Sequence, residues 1–202
     1  SFFVDVAMGI LTVLFNRQIM KYLGSDALAV YATVINISTF VQCCAYSVGQ
    51  AVQPILSTNY GAGDAARIRK TLFLALGTSM AFAAFWTGLS ELAPGLYIRI
   101  FMRPTDAILA IAPSIIRRYS VSFILLPVNI FSTYYFQSIL RPKDSFIVSI
   151  ARGLVVSGLL IFALPAIFAP DGIWWAMPLT ELVTFVYAGL AMRRDTRALS
   201  QN

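Results

Sequence analysis

The stretch Gly49-Gln-Ala-Val-Gln-Pro-Ile-Leu-Ser-Thr-Asn-Tyr-Gly-Ala-Gly63 closes a long apolar segment and leads into the basic run Arg67-Ile-Arg-Lys70. Its apolar half holds two glutamines and a proline, and its polar half ends in a glycine-rich turn. A core helix of a soluble domain has little use for that mixture. A helix lining a wet cavity within a membrane does, because polar groups and broken backbone survive there only where protein or water covers them.

Working outward, the composition agrees. Of 202 residues, 58% are hydrophobic and 12% charged, against about 45–50% apolar and about 25% charged in a typical globular domain. The excess runs the whole length, so the chain reads as an all-α, multi-span integral membrane protein. The net charge of +6 is spread over loops beside apolar segments, as in the positive-inside pattern. No nucleic-acid-binding motif accompanies it. Cys43 and Cys44 are neighbours inside an apolar run and point in different directions on a helix, which argues against a disulfide. Histidine is absent. That excludes Ser-His-Asp catalysis and His-containing zinc sites, and no carboxylate pair suggests an enzyme.

Six apolar segments are expected to cross the bilayer, over about residues 2–22, 30–58, 71–92, 107–140, 146–168 and 174–192. Glycine at Gly24 stops the first, Pro94-Gly95 stops the third, and Pro170-Asp171-Gly172 turns the chain after the fifth. Leu96–Asp106 reads as an irregular interfacial connection, with Thr105-Asp106 ready to cap the next helix. Pro54 and Pro127 predict bends in the second and fourth segments. Gly88, Gly95, Gly153, Gly158 and Gly189 are candidates for close helix packing. The chain opens at Ser1 with an apolar helix under way, as expected of a piece of a longer polypeptide. Alternating spans place nine basic residues, Arg152 among them, on the side of the C-terminus and six on the other. That bias puts the C-terminus in the cytoplasm of a plasma (inner) membrane protein.

Polar residues inside spans need a reason. Asp5 lies about 16 Å from the interface marked by Asn16-Arg17, at 1.5 Å per residue. It is a candidate for ion or proton coupling, unless this helix begins at the inner interface. Glu181 is the second candidate, with a carboxylate placed early in a helix, beside a favourable dipole, as the plain alternative. Asn36, Gln50 and Gln53 in the second segment, and Asn129, Tyr134 and Gln137 in the fourth, are candidates for lining a substrate cavity. For any one of them a hydrogen bond between helices is the default reading. No metal site is expected.

Four stretches carry a family resemblance: Phe2-Phe-Val-Asp5 opening a span that runs to Leu23-Gly24; Gly49–Asp64 with its basic run; Tyr135-Phe-Gln-Ser-Ile-Leu-Arg-Pro-Lys143 followed by Ser149-Ile-Ala-Arg152; and Gly172-Ile-Trp-Trp-Ala-Met-Pro178 leading to Glu181. In order and spacing they resemble the multidrug and toxin extrusion (MATE) family, within a superfamily that also holds lipid-linked oligosaccharide flippases. The resemblance implies the C-terminal six-helix lobe of a twelve-helix transporter. Its partners would be the N-terminal lobe of the same transporter (or a second copy), small-molecule drugs and the bilayer. It also implies secondary-active export of cationic and amphipathic compounds in exchange for H+ or Na+, with no other cofactor. Some relatives carry an acid where Asp5 stands and another in the lobe's fourth span, where this sequence has Asn129. A flippase-like transporter is the alternative, expected to line its cavity with arginines that hold pyrophosphate. A single lobe has no partner to rock against, so transport is expected only when it pairs with a second.

Overall fold

A computed structural model describes the backbone of residues 2–199 and the side chains of 6–198. Every regular element among them is helical. In chain order they are α1 (Phe2–Tyr22), α2 (Gly24–Gly61), α3 (Ala65–Leu92), α4 (Pro94–Phe101), α5 (Asp106–Ser120), α6 (Leu126–Ser138), α7 (Pro142–Ile150), α8 (Val156–Phe168) and α9 (Ala176–Leu199). Five runs are long and apolar enough to cross a membrane: Gly24–Gly61, Ala65–Leu92, Asp106–Ser138, Pro142–Phe168 and Pro170–Ala198. The 21-residue α1 precedes them.

The breaks follow local chemistry. Gly24, at φ +82°, reverses the chain between α1 and α2 in a single left-handed residue, so α2 starts earlier than Val30. The opening stretch is more helical than its sequence suggests. Asn59 donates from Nδ2 to the Ile55 carbonyl (2.8 Å) within a helix that continues to Gly61, so the turn shrinks to Ala62-Gly63. Gly63 is left-handed (φ +69°), and Asp64 caps α3 by accepting from the Arg67 amide at 3.0 Å. Thr105 caps α5 in the same way through the Ile108 amide (3.3 Å). The expected irregular connection at Leu96–Asp106 is instead largely α4. Pro94 starts that helix without needing a donor, and Tyr97 and Ile98 bury one face.

Three spans are interrupted. A 3-10 turn, Val121–Ile124, separates α5 from α6, with Pro127 in the first turn of α6. A π-helical segment, Ala151–Val155, joins α7 to α8, and a 3-10 turn, Pro170–Trp175, leads into α9. Of the glycines expected at close helix contacts, Gly88, Gly95 and Gly189 do not serve that purpose, because a Cβ there would meet nothing within 4 Å. Gly153 instead packs against α1, where a Cβ would meet Met8 Sδ at 3.7 Å. Gly49 is where helices approach closely. A Cβ there would lie within 3.0 Å of the Tyr134 ring.

Buried apolar side chains form two clusters. One gathers Phe15, Tyr31, Ile116, Leu126, Ile161 and Trp174; the other gathers Leu56, Ile68, Phe131, Phe136, Val148 and Met192. Along α2 the change of cluster falls between Ala45 and Val48, and on α6 between Ile130 and Phe131. On α9 it falls between Met177 and Ala188. Asn129, Arg152 and Glu181 sit at that seam.

Candidate functional site

Three interrupted spans each send one polar side chain to the seam. Glu181, fully buried, accepts from Arg152 Nε at 2.7 Å through Oε1. Its Oε2 accepts from Asn129 Nδ2 at 2.6 Å, and the same amide group donates to the Glu181 carbonyl at 2.8 Å. Arg152 lies in the π-helical segment, where the widened turn departs from ordinary helical spacing; such bulges recur at functional sites. Asn129 follows the proline break by two residues. Its Oδ1 is buried without a partner, leaving one acceptor open beside the carboxylate.

Arg152 and Asn129 line a cavity of 640 Å³ together with Tyr46, Thr133, Tyr134, Gln137, Ser145 and Ser149, within the size range of small-molecule pockets. Tyr46 and Tyr134 meet edge to face, ring centroids 6.4 Å apart. Tyr134 lies against Gly49, and only a residue without a side chain permits that approach. Below the aromatic wall, Gln137 Nε2 donates to Ser145 (3.1 Å) and its Oε1 accepts from Gln53 Nε2 (3.4 Å).

The structure therefore brings Glu181 and Asn129 into contact, places Tyr134 and Gln137 on the same cavity wall, and ties Gln53 to Gln137. Asn36 and Gln50 stand apart. Both are exposed on α2, on a polar stripe with Thr39, Cys43 and Ser47, spaced by three or four residues so that they share one helical face. Asp5 lies on α1, and its side chain falls outside the described residues. The dipole account of Glu181 does not hold, because α9 begins at Ala176 and places the carboxylate beyond the first turn, where that effect fades. Arg152 was counted with the basic loops, but it is a buried ion-pair partner, so the topological bias becomes eight basic residues against six. A lone arginine in the apolar run Phe146–Phe168, with one acid in the next span, was the available signal for this pair.

A second charged group was missed. At the far end of α9, Arg194 bonds Asp144 Oδ2 (3.2 Å) and Asp195 Oδ1 (3.0 Å). Tyr187 donates to Asp144 Oδ1 at 2.7 Å, and Arg141 stands 3.8 Å from Asp195. At the opposite end, Arg118 pairs with Asp171 (2.8 Å), and Ser120 donates to Glu91 Oε1 (3.1 Å). The cysteines are free, and among the described residues no cluster of acids or cysteines would hold a metal.

A sequence profile of the MatE family matches residues 1–162. The chain belongs to the MatE family. Solved structures agree on the fold. An outward-facing multidrug resistance MATE transporter of the MOP superfamily aligns with TM-score 0.89 at 17% identity, over 99% of this chain and 45% of that one. An inward-facing structure of such a transporter aligns with TM-score 0.87 at 19% identity, over 98% and 46%. A MOP-superfamily transporter from Pyrococcus furiosus, described as having a binding pocket of reversed polarity, aligns with TM-score 0.89 at 18% identity, over 99% and 45%. No curated protein matches the sequence. The chain thus spans about half the length of the transporters it resembles, and it has the fold of one lobe. MatE proteins are multi-pass membrane transporters and not enzymes.

Proposed function

We propose that this lobe belongs to a secondary-active multidrug antiporter that exports cationic and amphipathic compounds in exchange for H+ or Na+, and that Glu181 carries the coupling. The observation behind this reading is a fully buried carboxylate held by Arg152 and Asn129, two residues that line a 640 Å³ cavity. An intramembrane acid of that kind is a functional group by default. The donor set favours a proton over sodium at this position. A carboxylate and one open amide oxygen are too few ligands for a metal cation, and the guanidinium 2.7 Å away repels one. Protonating Glu181 removes the attraction that holds Arg152. That change biases the π-helical segment and the proline break between two arrangements, which is what alternating access requires. Asp5 is the second coupling candidate, on the strength of the acid that relatives carry there.

The polar stripe through Asn36 and Gln50 has no place against lipid. It is the face we assign to the partner lobe, either the N-terminal half of the same polypeptide or a second copy. With the basic loops inside, the C-terminus faces the cytoplasm of the plasma (inner) membrane. A flippase role draws on Arg152 at the cavity wall, but its Nε is already bound to Glu181.

Ethidium efflux from vesicles containing the full transporter, with sodium and proton gradients imposed separately, tests the reading. Glu181→Gln is expected to abolish gradient-driven efflux while the protein still folds. Wild-type efflux and unchanged ion dependence in that variant would remove Glu181 from the mechanism, and Asp5→Asn tests the other acid by the same assay.

A further inference from the structure

A groove of 580 Å³ runs between α3 and α9, away from the polar stripe of α2. Leu72 and Leu76 form one wall, and Phe185, Val186 and Leu190 the other. At Gly189, which also lines it, a Cβ would meet nothing within 4 Å, so the groove is open there. Its charge is confined to one end, where Arg193 and Arg197 border it. Both also line an adjoining hollow of 440 Å³. They are exposed, one turn apart on α9, and neither enters an ion pair among the described residues. Arg194, between them in sequence, is instead committed to Asp144 and Asp195.

From Phe185 to Arg197 the helix rises about 18 Å at 1.5 Å per residue. That is close to one leaflet, half of a hydrocarbon core of about 30 Å. An apolar channel one leaflet deep, ending in two unengaged guanidinium groups at the interface, matches a lipid in shape and in charge. Guanidinium forks bind phosphate oxygens in pairs. A headgroup without a compensating ammonium leaves nothing to repel the arginines, so net charge decides among phospholipids.

We propose that this groove binds one anionic phospholipid, its acyl chain laid along α3 and α9 past Gly189 and its phosphate on Arg193 and Arg197. The phosphate end of the site lies at least twelve residues along α9 from Glu181, about 18 Å. Its apolar end at Phe185 and Val128 comes within a turn of Glu181 and beside Asn129. The lipid proposal does not rest on the coupling proposal. A bound lipid would fix α9 at the end opposite the Glu181 pair, in the leaflet that the C-terminus faces.

The test is native mass spectrometry of the full transporter in detergent, titrated with phosphatidylglycerol and with phosphatidylcholine of the same chains. The wild type should retain one phosphatidylglycerol in preference to phosphatidylcholine. Each basic residue near a membrane surface contributes about 1 kcal/mol, a factor of about five, so Arg193→Gln/Arg197→Gln should weaken the anionic lipid about thirtyfold. Gly189→Leu fills the groove without touching charge and should weaken both lipids. Arg103→Gln, at the opposite membrane face, should change neither, and thermal melts report whether each variant is folded. Equal retention of the two lipids by the wild type would overturn the proposal. So would phosphatidylglycerol binding unchanged in the folded double-arginine or Gly189→Leu variant, displacement of the lipid by inorganic phosphate alone, or a dimer mass showing a second copy in the groove.

Discussion

Glu181 and Asp195 are both carboxylates on α9, both almost inaccessible at 0% and 3% exposure, and both are paired with arginine. Fourteen residues separate them, about 21 Å of helix, and their surroundings differ. The Arg152 side chain is 11% exposed and Glu181 is not exposed at all, so the inner pair meets water only through the cavity that Arg152 lines. The Arg141 and Arg194 side chains beside Asp195 are 53% and 59% exposed and can turn to solvent or headgroups whenever the contact opens. The same two charges therefore do different work. In the coupling role proposed for Glu181, separating the inner pair would require one charge to be neutralised, which would link protonation to conformation. At the surface they staple the ends of α7 and α9 and yield to small changes in geometry.

The largest effect should come from breaking the inner pair on one side only. Arg152→Met leaves Glu181 buried and unpaired, a change worth about 3–5 kcal/mol of stability. It should appear as a sharply lower melting temperature in detergent, or as loss of the folded protein. Replacing both partners, Arg152→Met/Glu181→Leu, removes the orphaned charge as well, and stability should return to near the wild type. Efflux should not return. A double variant that melts normally and still couples efflux to a gradient would show the pair to be a structural device and erase the contrast with the surface cluster.

A smaller effect, confined to the cavity, is expected at Gly49. Gly49→Ala drives a methyl group into the Tyr134 ring, and overpacking of this kind costs about 1–3 kcal/mol. The ring must leave its edge-to-face contact with Tyr46, so concentration-dependent efflux should show weaker apparent substrate affinity, with gradient dependence unchanged. The Glu181 pair predicts the opposite division, with coupling lost first. If Gly49→Ala leaves substrate affinity untouched, the aromatic wall is not part of the substrate path.

Much of this was readable in the sequence, for a physical reason. Lipid imposes helices and their length, so composition and the breakers Gly24 and Pro94 were enough to draw the bundle. Pro127 marked the interruption in the fourth run because a missing donor acts locally. Glu181 and Asn129 could be singled out one at a time, since a polar group inside a span needs a partner. Which partner they had was not legible. That depends on the rotation of three helices, and the π-helical segment at Arg152 alters the rotation without any proline to announce it. Asp144 and Asp195 were missed for the converse reason: near a membrane surface an acid needs no explanation, so nothing in the sequence marks two of them as neighbours. Gly49 stood in the first stretch quoted, but its role required Tyr134, 85 positions away.

The smallest expected effect probes the surface cluster by itself. Tyr187→Phe removes the 2.7 Å bond to Asp144 and nothing else. A single hydrogen bond of this sort is worth about 1 kcal/mol, so the melting temperature should fall slightly. Gradient-driven efflux should stay at the wild-type level. Salt sharpens the comparison further. At about 1 M ionic strength the screening length falls to about 3 Å, so the contribution of Arg141 and Arg194 should fade. Arg141→Gln should then melt like the wild type, whereas Arg152→Met should remain as damaged as in dilute buffer. Tyr187→Phe protein that is folded but inactive would place the surface cluster in the transport cycle. The two carboxylates of α9 would then be two ends of one switch, and no longer a coupling group and a staple.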